Sequence, residues 1–234
     1  MNGRVACKAI LGGEIFTPER VISDGYVLVE GDRLVGVGRE AAAFPPGCQV
    51  LDASSYRVTP GLIDLHLHGA MGSNVMGPGL AAVAEKLPQR GVTSFLPTTL
   101  TADSATVHQA LEQMADVIRR PPVGARPLGI HLEGPHLSPA KAGMAAARHF
   151  RPLTAQAWGD LQASARGSIK MLTFAPEEGD GMRLIPRLIR EGVVPSIGHS
   201  VATFEQVTEM VDLGLRHASH MFNAMGPFHH RAPG

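Results

Sequence analysis

From residue 58 onward six short apolar runs alternate with five stretches of helical spacing. The runs fall at 62–68, 93–98, 128–133, 170–175, 193–199 and 217–222, and the helical stretches at 80–89, 103–119, 154–165, 181–190 and 203–213. Periodicity that switches back and forth in this way predicts parallel βα units, because a strand covered by helices reads as a continuous apolar run. The 103–119 stretch is the best-marked helix, with Asp103 as its N-cap and Val107, Leu111, Met114 and Ile118 on one stripe.

The first part of the chain has a different grammar. Residues 26–30 alternate apolar and polar, Gly31-Asp32 supplies a turn and 34–37 alternate again, which predicts a β-hairpin. A Pro/Gly loop is expected over 41–50, and Thr59-Pro60-Gly61 punctuates the chain. The expected organisation is therefore a small β domain over 1–57 and a parallel α/β domain over 58–234. Six units fall short of the roughly eight that close a (β/α)₈ barrel, so further units are expected beyond Gly234. An open doubly wound sheet competes with the barrel, but no G-x-G-x-x-G follows the first strand to support a dinucleotide site.

Composition narrows the function classes. Lys+Arg and Asp+Glu are each 21, a formal charge of zero, which argues against an electrostatic nucleic-acid binder or a membrane-surface protein. No apolar stretch reaches the roughly 18 residues of a membrane span and the first residues lack the charged-then-apolar layout of a secretory signal, so a soluble, untargeted protein is expected. With two cysteines, Cys7 and Cys48, neither a disulfide framework nor a Cys-rich zinc module is expected, and the cytoplasm is the expected location.

Of the 11 histidines, His66, His68, His131, His199, His217 and His220 fall on predicted strands, most of them at the carboxyl ends. His66 and His68 lie two apart on the first strand, so both imidazoles point to one side while Leu65 and Leu67 face the helical layer. An isolated His-x-His is as readily a pair of polar residues on a strand end. Here, however, Glu133 closes the third strand, His199 the fifth, and His217 and His220 sit on the sixth. In a parallel barrel those ends surround one pocket. Imidazole and carboxylate suit Zn²⁺, Fe²⁺ or a similar divalent ion, and a Glu can bridge two ions, so a one- or two-metal hydrolase is expected.

The segment from Val58 to Gly69, Val-Thr-Pro-Gly-Leu-Ile-Asp-Leu-His-Leu-His-Gly, resembles the first-strand motif of the amidohydrolase superfamily. Four more segments are informative: Gly91 to Thr98, His131 to Pro135, Gly198-His199-Ser200, and His220 to Gly234. Together they resemble the N-acetylglucosamine-6-phosphate deacetylase family within that superfamily. The resemblance implies a metal-dependent (β/α)₈ barrel, incomplete here, carrying a small β-sandwich built from both chain ends. It implies that Glu133, His199 and His220 bind the main metal, that His66 and His68 hold a second ion, and that Glu133 bridges the two. It also implies that Asn223 and Ala224 contact substrate, that Arg231 binds its phosphate, and that the full-length protein is a homo-oligomer. The implied reaction is removal of the N-acetyl group from N-acetylglucosamine 6-phosphate, a small-molecule sugar phosphate.

Two departures accompany the resemblance. Gly143-Met144-Ala145 stands where the family has a triplet ending in His, which leaves a related N-acetylated amino sugar phosphate, or a cyclic amide, open as substrate; His149 is a candidate replacement. The family's catalytic Asp belongs to the eighth strand, so no catalytic residue is assigned within 1–234 and a non-catalytic binding role stays open. Asp64 is expected to buttress the first strand, His108 to be a solvated helix residue, and His131 to lie in the core or beside the site.

Overall fold

Alternation of β-branched residues with polar ones builds the first part of the chain, seen here in a computed structural model that describes residues 6–39 and 44–234. Seven strands form: β1 (Cys7–Leu11), β2 (Glu14–Phe16), β3 (Val21–Ser23), β4 (Tyr26–Glu30), β5 (Arg33–Gly38), β6 (Gln49–Asp52) and β7 (Arg57–Val58). They make two sheets, in the orders β5-β4-β1-β6 and β3-β2-β7. The expected hairpin is β4–β5, antiparallel from Tyr26 opposite Gly38 to Glu30 opposite Arg33. Residues 41–43 of the expected loop lie outside the described residues.

One apolar cluster joins the two sheets. Ile15, Ile22 and Val27 are buried, with Ile10, Val29 and Val58 packed against them. Gly13 turns the chain at φ +69°, and a Cβ there would lie 2.3 Å from the carbonyl oxygens of Ala53 and Tyr56, so no larger residue fits.

Cys7 and Cys48, too few for a disulfide framework, are nonetheless joined to each other in one disulfide. The parallel register of β1 on β6 sets Lys8 opposite Gln49, which brings the preceding residues side by side. Sequence spacing of 41 residues gives no hint of that register.

Residues 62–234 form a second compact unit. Its strands are β8 (Leu62–Leu67), the small β9 (Gly69–Ala70) and β10 (Ser73–Asn74), β11 (Val92–Pro97), β12 (Arg126–Pro127), β13 (Ile130–Glu133), β14 (Ile169–Phe174), β15 (Val194–Ile197) and β16 (His217–Ala218). Its α-helices are α1 (Leu80–Lys86), α2 (Ser104–Arg119), α3 (Ala155–Ser164), α4 (Gly181–Arg190) and α5 (Phe204–Leu213). The helix starts follow local chemistry: Asp103, Thr154 and Thr203 each accept a backbone N–H of their own first turn. Thr203 and Gln206 complete a reciprocal capping box.

All pairings of the main sheet are parallel. β8 pairs with β11 and β11 with β12; β13, β14, β15 and β16 follow in that order. The stretch around the third predicted strand is divided, β12 pairing back to β11 while β13 pairs forward to β14, and a Thr98–His131 bridge ties the two halves. The result is an α/β partial barrel with its strands in sequence order. Leu111, Met114, Leu132, Leu172, Phe174, Trp158 and Ile185 fill the layer between strands and helices. Each such side chain, fully buried, contributes about 1.5–3 kcal/mol.

Two expectations about the strands are corrected. The sixth is only His217–Ala218, because His220, Phe222 and Ala224 all take positive φ and turn the chain out of the sheet. Leu65 does not face a helical layer: it is 42% exposed, alongside Leu62 at 62% and Ile63 at 58%. Among the described residues β8 has no partner on its second edge, and residues 62–66 there line an open cavity of about 700 Å³ whose far wall is residues 217–220. No described helix is long and apolar enough to cross a membrane.

Candidate metal centre

Glu133 ends β13 with its side chain on the inner face, opposite Leu132, which packs outward into the core. Thr99 fixes its backbone twice, accepting from Glu133 N at 3.0 Å and donating to Glu133 O at 3.1 Å through one hydroxyl. Glu133 is 5% exposed, so both carboxylate oxygens need partners.

Four imidazoles supply them. Oε2 lies 3.1 Å from Nε2 of both His66 and His68. Oε1 lies 2.8 Å from His220 Nε2 and 3.4 Å from His199 Nε2. The five residues that the resemblance assigns to metal are thereby brought together, two histidines on each carboxylate oxygen. The ligand atoms of His66, Glu133 and His220 all lie within 4.8 Å of one another.

The far sides of the rings are held by backbone. His199 Nδ1 faces Lys141 O at 2.7 Å, and His68 Nδ1 faces Thr98 O at 3.2 Å. A carbonyl only accepts, so each Nδ1 carries its hydrogen, and in the neutral ring Nε2 is a bare lone pair. Those lone pairs point at a carboxylate and, for His68, at His66 Nε2 only 3.1 Å away. Such a set is stable only with positive charge at its centre. Ligands about 2.0–2.1 Å from a tetrahedral ion are about 3.4 Å apart, close to the separations here, so the donor set fits a divalent cation.

Ionisation follows the same logic. Burial pushes Glu133 up, but hydrogen bonds from His199, His66 and His68 outweigh it and hold the carboxyl well below its ordinary range. The Glu133 bond lifts His199 above the usual histidine value, assisted by the Lys141 carbonyl and opposed by burial. Burial lowers His68, yet Glu133 and the Thr98 carbonyl carry it above that value.

A second layer of polar side chains lies beneath. His131 is fully buried, with Nδ1 2.9 Å from Leu65 O and Nε2 2.7 Å from Thr173 Oγ1. Burial, with the neighbouring His66, pushes it down to about 4, so it is a neutral strut joining β13 to β8 and β14. Thr173, Ser219, Ser196 and His217 continue the chain of bonds at 2.8, 3.0 and 3.0 Å. Asp64 Oδ1 accepts from His66 N at 3.0 Å. None of these hydroxyls carries a signal in the sequence beyond its place on a strand.

Other residues lie elsewhere. Asn223 N donates to His220 O at 2.7 Å, and Ala224 O accepts from Ser200 N at 3.2 Å, so this segment adjoins two of the imidazole positions. Arg231 is exposed and its Nε contacts His230 Nε2 at 3.2 Å; no bond joins it to the Glu133 cluster among the described residues. Met144 is 92% exposed, whereas Gly143 packs so closely that a Cβ would lie 3.2 Å from His199 Cε1. His149 lines a separate cavity of about 220 Å³ with Asp103, His108 and His136. His108 is not free on the helix surface as expected: its Nδ1 meets Ser164 Oγ at 2.7 Å and ties α2 to α3.

Comparison with known proteins gives a consistent set of relatives. A Bacillus subtilis N-acetylglucosamine-6-phosphate deacetylase is 35% identical over 94% of this chain and 57% of its own. The Bos taurus protein of that name is 35% identical over 97% of this chain and 56% of its own. A solved Mycobacterium smegmatis N-acetyl-D-glucosamine-6-phosphate deacetylase, a variant in complex with N-acetyl-D-glucosamine-6-phosphate, superposes with a TM-score of 0.85 at 29% identity, covering 98% of this chain and 59% of that one. The chain thus spans little more than half the length of the relatives it matches. The model of the Amidohydrolase family matches residues 57–226, which takes in nearly all of the parallel-strand unit and every histidine around Glu133; the chain belongs to that metal-dependent family.

Proposed function

We propose that the protein carrying this sequence hydrolyses the N-acetyl group of N-acetylglucosamine 6-phosphate, yielding glucosamine 6-phosphate and acetate in amino sugar catabolism. The observation that carries this reading is the division of the Glu133 carboxylate between two histidine pairs, 2.8–3.4 Å away. The relatives described above, which bear the name of that activity, support it.

A divalent ion, one or two and Zn or Fe by donor chemistry, supplies when bound a water of pKa near about 7 and a Lewis acid for the amide carbonyl. Glu133, His199 and His220 would hold the main ion, and His66 and His68 would hold a second. Lys141 O and Thr98 O keep His199 and His68 in the tautomer that presents Nε2. Asn223 and Ala224 orient the sugar, and the guanidinium fork of Arg231 pairs with the phosphate oxygens. No residue of 1–234 is assigned as general acid–base.

The organisation we propose is the N-terminal part of a small β-sandwich over 1–57 and the amidohydrolase barrel over 58–234, in a cytoplasmic homo-oligomer. Zero formal charge supports a small-molecule partner over nucleic acid or a membrane surface. Exposed Met144, where the family carries its histidine nearby, favours one second reading: a related N-acetylated amino sugar phosphate as substrate.

Acetate release from a panel of N-acetylated sugar phosphates, with metal analysis of the same sample, tests both. Preference for N-acetylglucosamine 6-phosphate is expected. Preference for another sugar phosphate selects the second reading, and substrate binding with no acetate release from any member points to the non-catalytic role.

A further inference from the structure

His199 sits in a conformation that only surrounding contacts can hold. Its φ of +51° is left-handed, disfavoured for a residue with a Cβ, and it lies two residues past the end of β15, where the ring turns toward Glu133. Such strain persists where neighbours over-determine the backbone.

Glu177, on the loop between β14 and α4, is the anchor on the C-terminal side. Its Oε2 accepts from Ser200 Oγ at 2.7 Å and its Oε1 from Val201 N at 2.6 Å. Ser200 Oγ in turn accepts from Ala202 N at 2.9 Å, and Ser200 N donates to Ala224 O at 3.2 Å. On the N-terminal side, Ser138 N donates to His199 O at 2.9 Å and Gly198 N to Phe174 O at 3.2 Å. One carboxylate therefore fixes the two residues after His199 with charge-assisted bonds, and through Ser200 reaches the segment that follows His220.

We infer that Glu177 is a positioning residue: it aims His199 at the shared ion and couples the His199 turn to the 220–224 segment. This rests on the metal reading above. Among the described residues no hydrogen bond or ion pair joins Glu177 to Glu133 or to an imidazole of the cluster, so its effect passes through backbone geometry.

The test is Zn²⁺ affinity of the chain, by competition with a chromophoric chelator, and the visible spectrum of the Co²⁺ form, in the parent and three variants. Glu177→Ala is expected to weaken Zn²⁺ binding by about 10- to 100-fold and to alter the Co²⁺ bands. Ser200→Ala, which deletes one of the two bonds, weakens it less, by a few-fold. Glu177→Gln keeps a carbonyl for Val201 N and an amide for Ser200 Oγ, and stays near the parent. Parent-like affinity and spectrum in both alanine variants would overturn the inference, as would a Gln variant as weak as the Ala one. If Glu177→Ala does not fold, the Ser200→Ala and Glu177→Gln results decide. A parent that binds no Zn²⁺ contradicts the metal reading instead; the clamp is then read from amide exchange at Val201 and Ala202, slow in the parent and fast in Ser200→Ala, with equal rates overturning it.

Discussion

In its neutral form His199 has no hydrogen to offer Glu133: the Nδ1–H belongs to Lys141 O at 2.7 Å, leaving a bare Nε2 at 3.4 Å from a carboxylate oxygen. A proton on Nε2 relieves this, and so does a metal ion. The same choice faces His68, whose Nδ1 meets Thr98 O while Nε2 meets Glu133. The consequences below follow from that competition and from the polar layer under it.

Glu133→Ala removes the only anion in the cluster and the atom pair that joins its two halves. Metal retention falls by more than the roughly 10- to 100-fold seen for loss of an outer partner. Elemental analysis of the purified variant checks this; parent-like metal content would remove Glu133 from the centre.

Metal affinity falls as pH drops. His68 and His199 are raised above the ordinary 6.5, so protons compete with the ion from above that value downward. In the metal-free chain the sign reverses: a raised folded pKa contributes stability that is present below 6.5 and lost as pH rises through the folded value. Zn²⁺ titrations between about pH 8 and about pH 6 should show proton release on binding. A pH-independent affinity would contradict the competition.

His131 acts in the opposite direction. Its folded value is about 4 against 6.5 unfolded, so the unfolded chain takes up a proton first as pH falls. Stability is full above about 6.5 and drops by about 3 kcal/mol on the way to about 4. His131→Gln should flatten the acid limb of denaturant midpoint against pH. Identical slopes in parent and variant would show that the buried imidazole is not the cause.

Much of the architecture was legible because local chemistry and tertiary placement agree. Asp103 caps α2, and α4 runs Gly181–Arg190 as its spacing predicts, although Pro186 lies inside it. Strand ends carrying His66, Glu133 and His199 could be read because a parallel sheet aligns them regardless of sequence distance. What escaped was set by register and torsion. The Cys7–Cys48 bond depends on how β1 aligns with β6, and the short β16 on positive φ at His220 and beyond. Thr99, Thr173, Ser196 and Ser219 look like ordinary strand residues until the inner face is assembled. Leu65 read as covered, yet it lies on the unpaired side of β8.

That unpaired side has its own consequence. Among the described residues β8 and β16 each have one edge without a strand partner, and Ile63 on β8 is 58% exposed. The chain as given should associate through this edge, and Ile63→Lys should lower light scattering without shifting the melting temperature. Equal scattering in parent and variant would place the association elsewhere.

The shared ion itself is tested most directly by anomalous diffraction from crystals of the chain grown with Zn²⁺. The account predicts an anomalous peak about 2.0–2.2 Å from Glu133, His199 and His220. Crystals that bind Zn²⁺ elsewhere and leave these three side chains with no common peak would contradict it.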